Sequence, residues 1–213
     1  MKPKPTLMER LRAETRAQHV ATEAIPFSAS ILDGTLSRSA YAGQLAAYLS
    51  VHRAIENAVA DARHPALRAV WTDDMARTPL LEADLGALGG TAGSIRAARN
   101  GHAMAAWIEE LADRDPVALL GVLYVTEGST LGGALLRQHI ARAFGLTDAG
   151  LRYYSPYGTG PKPHWVAFTA RMNAAAISAA DADRVVATAG ETFERIGGIL
   201  SALSEPRQAA IAV

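Results

Sequence analysis

Residues 116–145 read PVALLGVLYVTEGSTLGGALLRQHIARAFG, and this stretch decides the fold class. Apolar residues recur at helical spacing on both sides of Gly128, Ser129, Thr130, Leu131, Gly132 and Gly133. Asp115 and Pro116 form a cap followed by a first-turn proline, and Gly145 is the stop. Glycine within a helix costs about 1 kcal/mol relative to alanine, so three in so short a run call for a reason. Two reasons fit: a kink that lays bare backbone against a flat ligand, or helices that cross closely. A phosphate loop is disfavoured because its Lys-Ser/Thr ending is missing. The apolar run of residues 116–125 is too short to cross a bilayer.

The same periodicity fills the rest of the chain. Thr6 and Glu9 fit a capping box that opens a helix to about Thr22, and Pro26 reads as a stop. A helix from about Ser39 carries Tyr41, Leu45, Tyr48, His52, Ile55 and Val59 on one apolar face. Thr78 caps a helix with Pro79 at its first position, closed by Gly89 and Gly90. Residues 102–113 are helical, 152–163 form an ordered loop, and helices follow at about 164–177 and 181–203. No strand, repeat or linker interrupts this pattern. The expected fold is one all-α domain over residues 1–213, core 6–203, with roughly seven or eight helices.

Composition narrows the function. Apolar residues make up 49% of the 213, enough for a sizeable core. Lys+Arg and Asp+Glu both total 21, which argues against binding nucleic acid through bulk charge. Without cysteine there are no disulfides, thiolate metal sites or cysteine nucleophiles. The N-terminus lacks the apolar run of a secretory signal, so the expectation is a cytoplasmic protein without a membrane partner.

The first helix carries a polar stripe. Arg12, Arg16, His19 and Glu23 follow at intervals of four, three and four, and so share one face. A heme iron needs a neutral imidazole and a group that orients the ring, roles open to His19 and Glu23. Arg12 and Arg16 could pair with propionates. On spacing alone, a solvated histidine paired with Glu23 is the commoner outcome.

At these residues the chain resembles the heme oxygenases. Residues 11–19 with Glu23 are similar to the proximal helix, in which a Thr precedes the iron-binding His by four, here Thr15 and His19. Gly128 to Gly133 resembles the kinked distal helix of bacterial, phytochrome-associated members. Residues 81–85 and Arg171-Met172-Asn173 resemble shorter family segments in the same order.

The resemblance implies heme held between two helices, with His19 on the iron. It implies oxidative cleavage to biliverdin, CO and ferrous iron, using O2 and an external electron donor such as a ferredoxin or flavoprotein reductase. A bacterial phytochrome is a candidate recipient of the biliverdin. Gly128, Ser129, Gly132 and Gly133 would form the distal catalytic surface. Arg12, Arg16, His19, Glu23, Tyr124 and Thr130 would contact the heme. Two departures stand out. Ser129 occupies the place of the family's water-organising Asp, and Trp165 and Thr169 stand where some members carry basic residues. Propionate contacts then rest on Arg12 and Arg16, with Tyr124 or Lys162 as further candidates.

The alternatives are a non-catalytic heme carrier or sensor, and an all-α enzyme of unrelated chemistry. His52 reads as a core histidine, while His64, His102 and His139 read as surface residues. His164 follows the tyrosine-rich loop, whose Tyr153, Tyr154 and Tyr157 could bond propionates or pack, and Phe168 reads as core or heme-edge packing.

Overall fold

The computed structural model describes residues 4–62, 64–89, 95–158, 160–175 and 177–204. Within them the secondary structure is helical without strands, as the periodicity predicts. The helices are α1 (Leu7–Glu14), α2 (Arg16–Glu23), α3 (Pro26–Asp33), α4 (Arg38–Ala60), α5 (Pro65–Val70) and α6 (Thr78–Ala87). They continue with α7 (Ile95–Arg114), α8 (Leu119–Gly128), α9 (Thr130–Phe144), α10 (Pro161–Ala174) and α11 (Ala179–Leu203).

The core is built by α4 packed on α7 and by α11 packed on α8 and α7. The face of α4 picked out by spacing is the one that faces inward, with Tyr41, Leu45, His52, Ile55 and Val59 all buried. Close approach needs glycine at one crossing in particular. A Cβ on Gly121 of α8 would stand 2.3 Å from the carbonyl oxygen of Val185 and 2.7 Å from the nitrogen of Ala189 on α11. Backbone cannot move aside as a side-chain tip can. Gly121→Ala is therefore expected to destabilise the fold by about 1–3 kcal/mol, read as a lower urea midpoint.

Several boundaries differ from expectation, each for a local reason. Pro26 opens a helix rather than ending one, because its missing N–H and fixed φ suit the first helical position. The helix placed at 102–113 begins earlier, at Ile95, which leaves His102 exposed in its middle. Thr78 does not cap α6. Glu56 of α4 does, its Oε1 accepting from the N–H groups of Arg77 and Thr78 at 2.7 and 2.9 Å. Asp115 makes no side-chain cap; it takes a bond from Arg184 Nε at 2.6 Å. Gly90 lies outside the described residues.

The continuous stretch Pro116–Phe144 is long and apolar enough to cross a membrane by length and composition, with half of its apolar window buried in the fold. Counting only to Val125 missed this, because the helix carries on past the glycines. The apolar residues of α8 are spent on α11, α5 and α7 inside the bundle.

Candidate functional site

The first helix bends in the middle. Thr15 has φ −104° and ψ 8°, and its hydroxyl donates to the carbonyl of Leu11 at 2.7 Å, a bond that bends helices. The backbone ladder survives on either side, with Thr15 N–H on Leu11 and His19 N–H on Thr15. Met8, Leu11 and Thr15 face inward, whereas Arg12, Arg16, His19 and Glu23 are exposed, as their spacing requires. Of the residues of α2, none is buried.

The His19 side chain is 53% exposed, and its Nδ1 lies 3.4 Å from Glu23 Oε2. The edge of Phe193 on α11 backs the ring at 5.6 Å. One nitrogen is thus oriented by a carboxylate, and Nε2 is left for another partner. Arg10, on a different side of α1, is occupied by Glu14 and Asp183.

The junction of α8 and α9 is broken at Ser129 with φ −62° and ψ −24°, so the departure from helix is shallow. The glycines there do different things. Gly132 has open space where a Cβ would stand, and Gly128 would make ordinary contact with the Trp165 ring at 3.5 Å. Gly133 is turned onto the loop, where a Cβ would sit 2.8 Å from the Tyr154 carbonyl oxygen. For Gly133, therefore, close backbone packing is the reason for glycine, and ligand contact is not. Leu131 and Leu135, one turn apart on α9, are exposed despite being apolar.

Thr130 is buried, its hydroxyl donating to the Glu127 carbonyl at 2.7 Å. Tyr124 lies near the first helix, close enough for Thr15 and Arg12 to act on its phenol. Burial pushes this phenol up, with Thr15 and Arg12 opposing. Trp165 stacks on buried Phe168 and lies beside Tyr124, while Lys162 is exposed.

The junction is anchored from behind by a buried ion pair. Arg77 Nη2 bonds Glu127 Oε2 at 3.1 Å, with the two side chains 3% and 5% exposed. Tyr157 accepts from Arg77 at 2.8 Å and donates to Glu127. His164 stacks on Tyr157 with ring centroids 3.9 Å apart and bonds Asp74 at 2.9 Å. Burial pushes the Glu127 carboxyl up, opposed by Arg77 and Tyr157.

The loop over this junction hangs from Asp84, which is fully buried. Its Oδ1 accepts from the N–H groups of Gly150 and Arg152 at 3.0 Å, and its Oδ2 from that of Tyr153 at 2.8 Å. Burial raises this carboxyl, and the three N–H groups counter it. Asp84→Ala is expected to cost on the order of 3 kcal/mol, because it strands buried donors; thermal unfolding measures it.

Helix α2 makes no substantial packing with α8 or α9. The two walls are joined at their ends, where α3 meets α9 and α1 meets α10. Two open grooves run between the first two helices and α11, one past Ala17, Ala21 and Ile25 and the other past Arg10, Thr15 and Gln18, and His19 lines neither.

A sequence model of the heme oxygenase family matches residues 5–202. The chain belongs to the heme oxygenase family. Its fold is shared by heme oxygenase-1 from the cyanobacterium Synechocystis, in complex with heme, at TM-score 0.84 and 24% identity over 92% of this chain and 91% of that one. It is shared equally by heme oxygenase from Leptospira interrogans, at TM-score 0.84 and 22% identity over 92% and 99%. No curated protein matches the sequence.

In this heme oxygenase family member the family-like segments away from the stripe turn out to be struts. Asp84 holds a loop, Arg171 Nε bonds the Val70 carbonyl at 2.8 Å, and Asn173 accepts from the N–H of Met8 at 3.0 Å. Reading the sequence missed Arg77, Glu127 and Asp84 as parts of the site's frame. The signals available were Glu127, a carboxylate between the apolar runs 116–125 and 131–136, and the family likeness of residues 81–85, which include Asp84.

Proposed function

We propose that the chain is a heme oxygenase that takes heme as its substrate between α2 and α9 and opens it to biliverdin, CO and ferrous iron. The observation that carries this reading is the exposed His19–Glu23 pair on the arginine stripe, in a chain whose α8–α9 junction also leaves open room at Gly132. The donor set suits the group: an oriented imidazole, two arginines on the same stripe for the propionates, and apolar Leu131 and Leu135 for the macrocycle. Bound heme supplies the iron at which O2 is activated and the carbon that is oxidised.

The chain's residues have separate tasks in this reading. His19 Nε2 binds the iron, Glu23 fixes the ring, and Arg12 and Arg16 hold the carboxylate edge. Tyr124, near Thr15, closes the floor between the two walls. Gly128, Ser129 and Gly132 line the distal face, and Gly133 and Thr130 act behind it by shaping the junction. Electrons come from a ferredoxin or flavoprotein reductase, the protein works in the cytoplasm, and a bacterial phytochrome is a candidate recipient of the product.

The test is hemin addition followed by ascorbate or a reductase under air. A Soret band that gives way to biliverdin absorption is the expected result. A Soret band that persists unchanged would instead make the protein a heme carrier or sensor, a reading favoured by Ser129 in place of a carboxylate. Absence of any Soret band would end both.

A further inference from the structure

Two side chains that meet His19 come from different helices. Glu23 reaches Nδ1 from the same helix, at 3.4 Å and with its own side chain 69% exposed. It holds one atom of the ring and leaves the ring free to turn. Phe193 of α11 is buried, and its ring centre lies 5.6 Å from that of the imidazole, with the two planes 80° apart. Edge-to-face contact is a geometry that aromatic rings prefer, so this neighbour favours one setting of the imidazole plane over the others.

A pattern on α11 presents the phenyl to His19. Gly190, Phe193 and Gly197 follow at intervals of three and four, and so share one face of the helix. Across from them on the α2 side stand Gln18, Thr22 and Ile25. A Cβ on Gly190 would lie 3.6 Å from Gln18 Nε2, and one on Gly197 would lie 3.4 Å from Ile25 Cδ1. Between these two contacts the Thr22 hydroxyl, which donates to the Gln18 carbonyl at 2.9 Å, also reaches the Phe193 carbonyl at 3.4 Å. The glycines let the two helices approach, and Phe193 is the large side chain set between them.

We propose that Phe193 is a positioning residue that sets the plane of the His19 imidazole towards a bound iron. This rests on the function proposed above. An imidazole bound through Nε2 keeps one rotation, the one about its bond to the metal. Its π orbital stands perpendicular to the ring and overlaps one iron d orbital more than the other. The ring plane therefore decides how unpaired electron density spreads over the macrocycle, which is a lever separate from ligand basicity. Glu23 acts on basicity through Nδ1; Phe193 acts on direction.

Phe193→Leu keeps an apolar side chain between the glycines and removes the aromatic edge. It is expected to leave the Soret position unchanged and hemin affinity within about threefold. The heme-methyl proton signals of the ferric cyanide complex, which report the imidazole plane, should change their order or draw together. Glu23→Ala should do the reverse, weakening hemin binding while keeping the wild-type order. A further readout needs no heme: in hemin-free wild type, His19 ring protons should show nuclear Overhauser contacts to the Phe193 ring. If those contacts are absent, or if Phe193→Leu binds hemin through His19 with an unmoved methyl pattern, the inference fails alone. Loss of histidine-ligated binding in Phe193→Leu would also overturn it, by giving the phenyl a role in pocket integrity instead of ring direction. If the wild type gives no histidine-ligated hemin spectrum, the proposed function fails and this inference goes with it.

Discussion

His19→Ala is expected to abolish the histidine-ligated hemin spectrum and to lower biliverdin formation by at least about 100-fold, while the hemin-free protein unfolds at an unchanged temperature. The spectral loss follows from chemistry: removing a group that merely orients a metal-binding histidine costs about 10–100-fold, and removing the ligand itself costs more. The unchanged stability follows from geometry. The side chain is 53% exposed, and what it contributes to packing is an edge contact with Phe193. Imidazole added to the variant should restore the spectrum, since the free base can take the place of the missing side chain as ligand. A variant that kept the wild-type spectrum would place the iron elsewhere. Glu23→Ala should show a smaller effect of the same kind, about tenfold.

The second large effect is on folding. Arg77→Met leaves Glu127 inside the fold without its cation, and is expected to cost about 3–5 kcal/mol in urea unfolding at neutral pH. It should also be pH-dependent in a definite direction. Burial already raises the Glu127 carboxyl, and removal of Arg77 takes away the largest opposing influence. A folded-state pKa above the unfolded one favours the fold while the carboxyl is protonated, and that contribution is lost as pH rises through the folded value. The variant should therefore recover stability on the acid side relative to neutral pH. Pairing Arg77→Met with Glu127→Leu should return much of the loss, because a buried charge without a partner is the main cost.

What could be read along the chain was whatever obeys helical spacing. The inward face of α4 and the outward stripe of Arg12, Arg16, His19 and Glu23 both follow from residues three and four apart, and both are found where expected. The bend at Thr15 escaped notice because one back-bonded hydroxyl inside a helix leaves no mark on periodicity. The frame of the site escaped for another reason. Arg77 meets Glu127 and Glu56 caps α6, both across elements remote in sequence. Such partners are chosen by the way helices stack, and no local pattern announces them. The glycines illustrate the boundary: their number flagged the junction, but only the fold separates Gly132, facing open space, from Gly133, pressed on Tyr154.

Helix α2 has no buried residue, yet it carries the proposed iron ligand. A helix so placed lacks the contacts that give core elements their resistance to local opening. In the proposed complex the missing half of its environment is the porphyrin, which makes the substrate a temporary piece of the interior. Occupancy at a hundred times the dissociation constant then adds about 2.7 kcal/mol to the folded state. Amide exchange on residues 16–23 should slow on hemin addition more than anywhere in α4 or α7. Cleaving the macrocycle dismantles the surface that orders the helix, so turnover loosens one wall of its own reaction chamber and opens the way out for the product.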